Sequence, residues 1–422
     1  LGLTNLFFPS ASSPVPNDLE EVTARGEELS PVAVGLPRES IEDIWSKTQA
    51  LYRSGAHPAL QFCIRHRGAV LLHRAMGYAS GNSPADSDDA AKRKIGLDTP
   101  VNLFSASKAV TAMLIHKLDE ENILCLDDPV ADYIPDFARF GKEEISLRHV
   151  LAHRAGLSKL PGEYMDLDLL GKPERVLEIL CDARPESKAG GRLAYHALTG
   201  GFILAEVARR ATGRGLREVF IEKIREPLGL KWLNYGVAPD QVGEVAQNAA
   251  TGPPLPPPFS GLLQRALSAD LANLVELSND ARFLTGVIPS ANIISTASEI
   301  ASFYQCLLDE GMYEGERVFE AKTIRRAVAR QTGWELDHTL MAPIPYGLGF
   351  MLGSRRMSLI GFDNPMAFGH VGLSNVFTWA DPERQLVVAL LTTGKPIIGA
   401  HIASLLGLIW QIGHSIPRLP RT

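Results

Sequence analysis

Cysteine is scarce in this chain of 422 residues: four in all, Cys63, Cys125, Cys181 and Cys306. They stand far apart, with no C-x-x-C and no Cys/His cluster. That excludes a disulfide framework and a zinc site, and leaves buried, reduced thiols as the expectation. Positive charge is not in excess either. Lys and Arg number 42 against 48 Asp and Glu, a formal net charge of −6, so nucleic acid is excluded as a partner. Long apolar runs are missing too. The stretch from Ile397 to Ile412 is broken by Gly, His and Gln and resembles nothing like the ~20-residue span a bilayer requires. No repeat of fixed period and no long low-complexity tract is present. No serine lies in G-x-S-x-G, so the nucleophile elbow of an α/β-hydrolase is absent. His149-x-x-x-His153 lacks the glutamate of H-E-x-x-H, and Thr392-Thr393-Gly394-Lys395 lacks the upstream glycine of a P-loop. The sequence opens on Leu1 rather than Met, and Leu6-Phe7-Phe8 is too short and too poor in basic flanks for a signal peptide. A cytoplasmic location is expected.

What is there suits a globular protein with an ample core. Hydrophobic residues make up 45% and charged residues 21%. Ile41, Ile44, Trp45 and Leu51 share one helical face. Ala59 to His66 and Ala69 to Ala75 read as a hairpin turning at Arg67-Gly68. Ser80 to Thr99 is polar and reads as a surface loop. From Ser105 the period becomes helical, with Val110, Met113, Leu114 and Leu118 on one face and an end near Asn122. Further helices are expected over 148–153, 173–181, 195–212 and 215–226. Thr251 to Pro258, dense in proline, must be extended, as a surface loop or the rim of a cleft. After a helix to Leu308, strands are expected at 346–352, 366–368, 375–380 and 386–392, and a last helix from Ile397. Strands at both ends with helices between predict an α+β fold. One antiparallel sheet is built from the N- and C-terminal segments, flanked by helices, with an inserted helical region. The expected division is 1–100 with 286–422 for the sheet domain and 101–285 for the helical one, with the site in the cleft between them.

Three groups of residues can carry chemistry. Ser105-Ala106-Ser107-Lys108 lies where loop meets helix. A serine hydroxyl needs a base, and three residues along a helix an amine reaches it. The helix N-terminus and burial both disfavour an ammonium, so Lys108 is expected neutral near pH 7. Tyr195, expected at the start of a helix, can relay a proton as a phenol of lowered pKa near a lysine. Phe368-Gly369-His370-Val371-Gly372-Leu373 precedes a strand, where glycines let a ligand lie along the backbone. The N–H groups of Leu373 and Ser105 are the expected oxyanion donors. Against each stands a plainer role: an N-cap serine with an exposed lysine, a core tyrosine, a turn with an incidental histidine.

Order and spacing change the weighing, because together these residues resemble the serine β-lactamase and penicillin-binding superfamily. Its motifs are S-x-x-K, S-D-N and K-T-G. Ser105-x-x-Lys108 matches the first, Tyr195 the tyrosine that class C members carry in place of the second, and His370-Val371-Gly372 the third in an H-x-G form. His149 to Leu157, Glu226 to Leu230, Ser295 to Glu299, Tyr346 to Gly349 and Ala380 to Glu383 also resemble family segments, so the likeness covers about residues 40 to 410. Histidine in place of the motif's lysine weakens the grip on a carboxylate, which His370 is expected to hold well only when protonated, below about 6.5; Pro289-Ser290-Ala291-Asn292 resembles the family VIII carboxylesterases. Ser290-Ala291-Asn292 is also S-x-N, a rival for the Tyr195 role, though its position favours a wall loop. The resemblance implies a serine carboxylesterase that passes through an acyl-enzyme on Ser105. Lys108 and Tyr195 handle protons, His370 and Gly372 line the pocket, and neither metal nor organic cofactor is needed. Alternatives are a β-lactamase or D-amino-acid peptidase, an acyltransferase, or a binding protein that keeps the fold. A small-molecule ester is the expected partner, to a monomer or homodimer.

Overall fold

The computed structural model describes residues 11–159, 166–257, 260–261, 263–264 and 270–420. Seven strands form the main sheet: β1 (Thr23–Arg25), β2 (Ala59–His66), β3 (Ala69–Ser80), β4 (Met351–Leu352), β5 (Phe368–Gly372), β6 (Val376–Asp381) and β7 (Leu386–Thr392). Their order is β1-β3-β2-β7-β6-β5-β4 and every pairing is antiparallel, with Arg93–Lys94 added to β3. The central pairing of β2 with β7, from Leu60↔Thr392 to His66↔Leu386, joins the two ends of the chain. The β2–β3 hairpin turns at Arg67 (φ 51°) and Gly68 (φ 80°), the doubly left-handed backbone that suits tight hairpins.

Both faces of this sheet are covered. Helices α1 (Ser40–Arg53) and α5 (His401–Ser415) pack together over Leu60, Phe62, Ile64, Val388 and Leu390. The alternate residues Ala59, Cys63, Val387, Ala389 and Leu391 belong to the second core, with α4 (Ala297–Leu308) and the helical region. Double coverage explains why polar alternation along β2 and β7 is faint in the sequence: a strand buried on both faces has no solvent side to mark. The same holds for α2 (Ser107–Glu120). Ser107 through His116 are all buried, so its apolar residues form more than one face.

Several elements differ from expectation. The strand expected at 366–368 runs Phe368–Gly372, so the histidine motif is itself β5. Only Met351–Leu352 of 346–352 forms a ladder. The helix expected over 215–226 is an α segment, Leu216–Phe220, continued by a π-helical turn, Ile221–Arg225. Cys125 is exposed, unlike the other three cysteines. The Thr251 segment bridges to Ala11 through Gly252, and Thr251 donates to Ala56 O at 2.8 Å. It packs beside the sheet; Pro258 lies outside the described residues. A three-stranded ribbon, with Ile293–Ser295 between Val101–Asn102 and Asn234–Tyr235, stitches the start and end of the helical region together.

Candidate active site

Ser105 sits on a single 3-10 turn, Phe104–Ala106, that leads into α2. Phe104 has φ 48°, a conformation that a bulky side chain adopts only under constraint, at about 1–3 kcal/mol. The constraint is visible. Phe104 N donates to Asn102 Oδ1 at 3.2 Å, and Leu103 N to Ile293 O at 2.9 Å. The turn also lies against β5. A Cβ on Gly372 would fall 2.3 Å from Leu103 O, so only glycine lets the two backbones meet. This contact puts Leu373 beside Ser105, and both line the same cavity.

Lys108 Nζ donates to Ser105 Oγ at 3.3 Å and to Ser290 O at 3.1 Å. It is buried, and burial pulls its pKa from 10.5 down to about 7. The mechanism is the removal of an ammonium from water. The helix carries the loop with it: Thr111 Oγ1 donates to Pro289 O at 2.6 Å, and Ser107 Oγ accepts from Ile293 N at 2.9 Å. Ser107 is therefore a buried clamp. Asn292 is equally committed, accepting from Ile288 N and donating to Phe283 O and Gly286 O. The Ser290-Ala291-Asn292 segment is a wall beside Lys108.

Tyr195 is not on a helix, contrary to expectation. Helix α3 (Thr199–Thr212) begins only after it, and the N–H groups around Tyr195 bond to other segments. Ala194 N donates to His153 O, Tyr195 N to Asp337 Oδ1 at 3.1 Å and His196 N to His153 Nδ1 at 3.2 Å. Its ring lies 4.8 Å from Lys108 Nζ, and its hydroxyl hydrogen-bonds Ser105. The expected lowering of its pKa is reversed: burial pushes the phenol up, and the bond to Ser105 only partly offsets this. It keeps its proton.

His370 also departs from expectation. It is buried in β5 opposite Thr378, with its ring centroid 6.1 Å from that of Tyr195. Burial, then the neighbouring Lys108, bring its pKa down to about 3. The cationic grip expected of a protonated His370 does not exist between pH 5 and 8. β4 pairs only with Phe368 and Gly369, and farther along β5 it is Gly372 that meets the Ser105 turn, at Leu103 O.

Other residues joined the site without a signal in the sequence. Asp337, fully buried, accepts from the N–H groups of Tyr195, Thr339 and Leu340 and from Tyr346 Oη at 2.9 Å. Tyr346 packs edge-on to His153 at 4.9 Å, and His153 packs on Tyr195 at 4.7 Å. Tyr346 matched a family segment, but nothing marked Asp337, which comes 142 residues after Tyr195. Lys395, at the end of Thr392-Thr393-Gly394-Lys395, lies 4.7 Å from the ring of Phe104, and burial lowers it to about 7 as well. The decoy pair His149 and His153 is occupied by Ser146 and by His196 N.

A β-lactamase family model matches residues 44–403, most of the chain. This chain belongs to the β-lactamase family. It is 32% identical over 306 residues to "Esterase/beta-lactamase LipL" of Mycobacterium tuberculosis, covering 70% of this chain and 69% of that one. A penicillin-binding protein homologue from Caulobacter crescentus superposes with TM-score 0.73 at 25% identity, over 90% of this chain and 99% of the other. A family VIII carboxylesterase superposes with TM-score 0.74 at 24% identity, over 90% and 99%, which bears on the fold alone. As a β-lactamase family member the protein is a hydrolase of the β-lactamase/esterase superfamily. Among the described residues, no helix is long and apolar enough to cross a membrane.

Proposed function

We propose that this protein is a serine carboxylesterase acting on small neutral esters. The observation that carries the proposal is a lysine amine brought to about 7, 3.3 Å from a serine hydroxyl, in a site whose cavity is apolar. Lys108 takes the Ser105 proton as Oγ attacks the ester carbonyl, and the N–H groups of Ser105 and Leu373 hold the oxyanion. Tyr195, which keeps its proton, gives it to the departing alkoxide and is recharged by the Lys108 ammonium. Water then attacks the acyl-enzyme by the same route in reverse, releasing the acid.

An ester is favoured over a β-lactam by charge. His370 stands where the third motif carries its lysine, and it is neutral, so no fixed cation faces a substrate carboxylate there. Among the described residues lining the cavity, Asp166 is the one ionisable carboxyl, and it is exposed. LipL's name joins esterase with β-lactamase, which makes nitrocefin the natural competitor substrate. The test compares kcat/KM for p-nitrophenyl butyrate and nitrocefin at pH 8, with the peptide carrying a fluorophosphonate adduct identified by mass spectrometry. Ester turnover well above nitrocefin turnover and a label on Ser105 are expected. Equal efficiencies would replace the esterase reading with the lactamase one, and an unlabelled Ser105 would favour a non-catalytic binding protein.

A further inference from the structure

The cavity beside Ser105 is about 120 Å³, and its walls include Ile179, Leu180, Phe202, Phe283, Ile288 and Ala291. A second cavity of about 190 Å³ lies beyond it, lined on its far side by Pro173, Glu206 and Arg209. Glu206 and Arg209 form an ion pair and Arg209 is exposed, so this outer space lies near the surface. Leu169, Leu170, Val176, Leu180 and Phe202 line both cavities. These side chains are the partition between two apolar compartments. Phe202, half-buried on α3, packs against two hydrophobic clusters at once, which makes it the central plate.

The cavity's neighbours decide which half of an ester it receives. Ser105 and Leu373 line it, whereas Lys108, Tyr195 and His370 do not. A leaving alkoxide must depart toward the group that protonates it, on the Tyr195 side. The acyl chain is left to enter the cavity. Its size then sets a length: an apolar cavity of roughly 150 Å³ holds a six-carbon ring, so about five carbons beyond the carbonyl fill this one.

We propose that the inner cavity is an acyl-chain pocket selecting esters of straight-chain acids of about six carbons, and that Phe202 sets its length limit. This rests on the esterase reading. Each methylene that enters should raise kcat/KM about fourfold, the worth of one buried CH₂, until the chain meets the Phe202 partition. Opening the partition joins the two compartments and admits longer chains.

The experiment measures kcat/KM for p-nitrophenyl esters from acetyl to dodecanoyl, on wild type, Phe202→Ala and Ala291→Leu. Binding of linear alkylboronic acids, which need no turnover, is measured beside it. Wild type should climb from acetyl to about hexanoyl and then fall. F202A should move the optimum at least two carbons longer, and A291L, which fills the inner cavity, should move it shorter. A wild-type profile that is flat or best at acetyl overturns the proposal, as does an unmoved optimum in both variants. If F202A does not fold, A291L decides alone. Length dependence seen only across alkyl acetates, in the alcohol half, also overturns it. Graded boronate binding without ester turnover would sink the esterase reading while upholding the pocket; flat boronate binding beside brisk ester turnover would do the opposite.

Discussion

Replacing Lys108 by methionine should destroy activity and stabilise the protein. The folded chain holds this amine at about 7, against 10.5 when unperturbed, and burial is the cause. Between those two values the unfolded chain carries a proton that the folded chain has released, so wild-type stability rises with pH across that window. Below about 7 both states are protonated, and the full cost of a buried ammonium is present. At 1.36 kcal/mol per pKa unit, the cost that Lys108→Met removes is about 4 kcal/mol at pH 7, falling to about 2 kcal/mol at pH 9. Methionine fills nearly the same volume without a charge, so little is lost in packing. Lys395, buried and lowered in the same way, contributes equally to both proteins and cancels. Urea unfolding of wild type and K108M at pH 6, 7 and 9 reads the difference directly, and turnover should drop by roughly 10²–10⁴. A variant no more stable than wild type at pH 7, or an advantage that does not shrink by pH 9, would refute the argument that burial tunes this base.

Wild-type kcat/KM should rise with pH through an apparent pKa near 7 as Lys108 loses its proton, with no loss by pH 9, since the phenol of Tyr195 is pushed up; a bell with its alkaline limb below 9 would contradict this. Tyr195→Phe should cost roughly 10²–10⁴ in kcat, and combined with Lys108→Ala much less than the product of the two, because they serve one proton path. Gly372→Ala should lower kcat far more than it raises KM, since its Cβ would meet Leu103 O at 2.3 Å and shift Leu373 from Ser105; an effect on KM alone would place the oxyanion donors elsewhere. His370 stays neutral from pH 5 to 8, and protonation of Lys108 removes turnover of both substrates alike, so the ratio of kcat/KM for neutral over anionic substrates should be the same at pH 6 and 8. A preference that changes tenfold over that interval would show that the histidine titrates.

The sequence by itself determined the fold class and singled out the candidate serine and lysine that the structure brings within hydrogen-bond reach. Ser105 and Lys108 are close in the chain, and a local spacing of three carries its own geometry whatever surrounds it. The hairpin at Arg67-Gly68 and the return of strands after Leu308 were legible for the same reason, since turn chemistry and periodicity are local. Strand edges were harder to read where both faces of the sheet are buried and polar alternation disappears. The tertiary structure alone decided how the site's protons are held. Tyr195 and His370 carry opposite expectations in isolation, one acidified by a lysine and the other cationic below 6.5. Burial overrides both, raising the phenol and lowering the imidazole, because desolvation penalises whichever form is charged. Asp337 shows the limit most plainly. A carboxylate that orders Tyr195 from 142 positions along the chain leaves no local pattern, and only packing two distant loops together makes it part of the site.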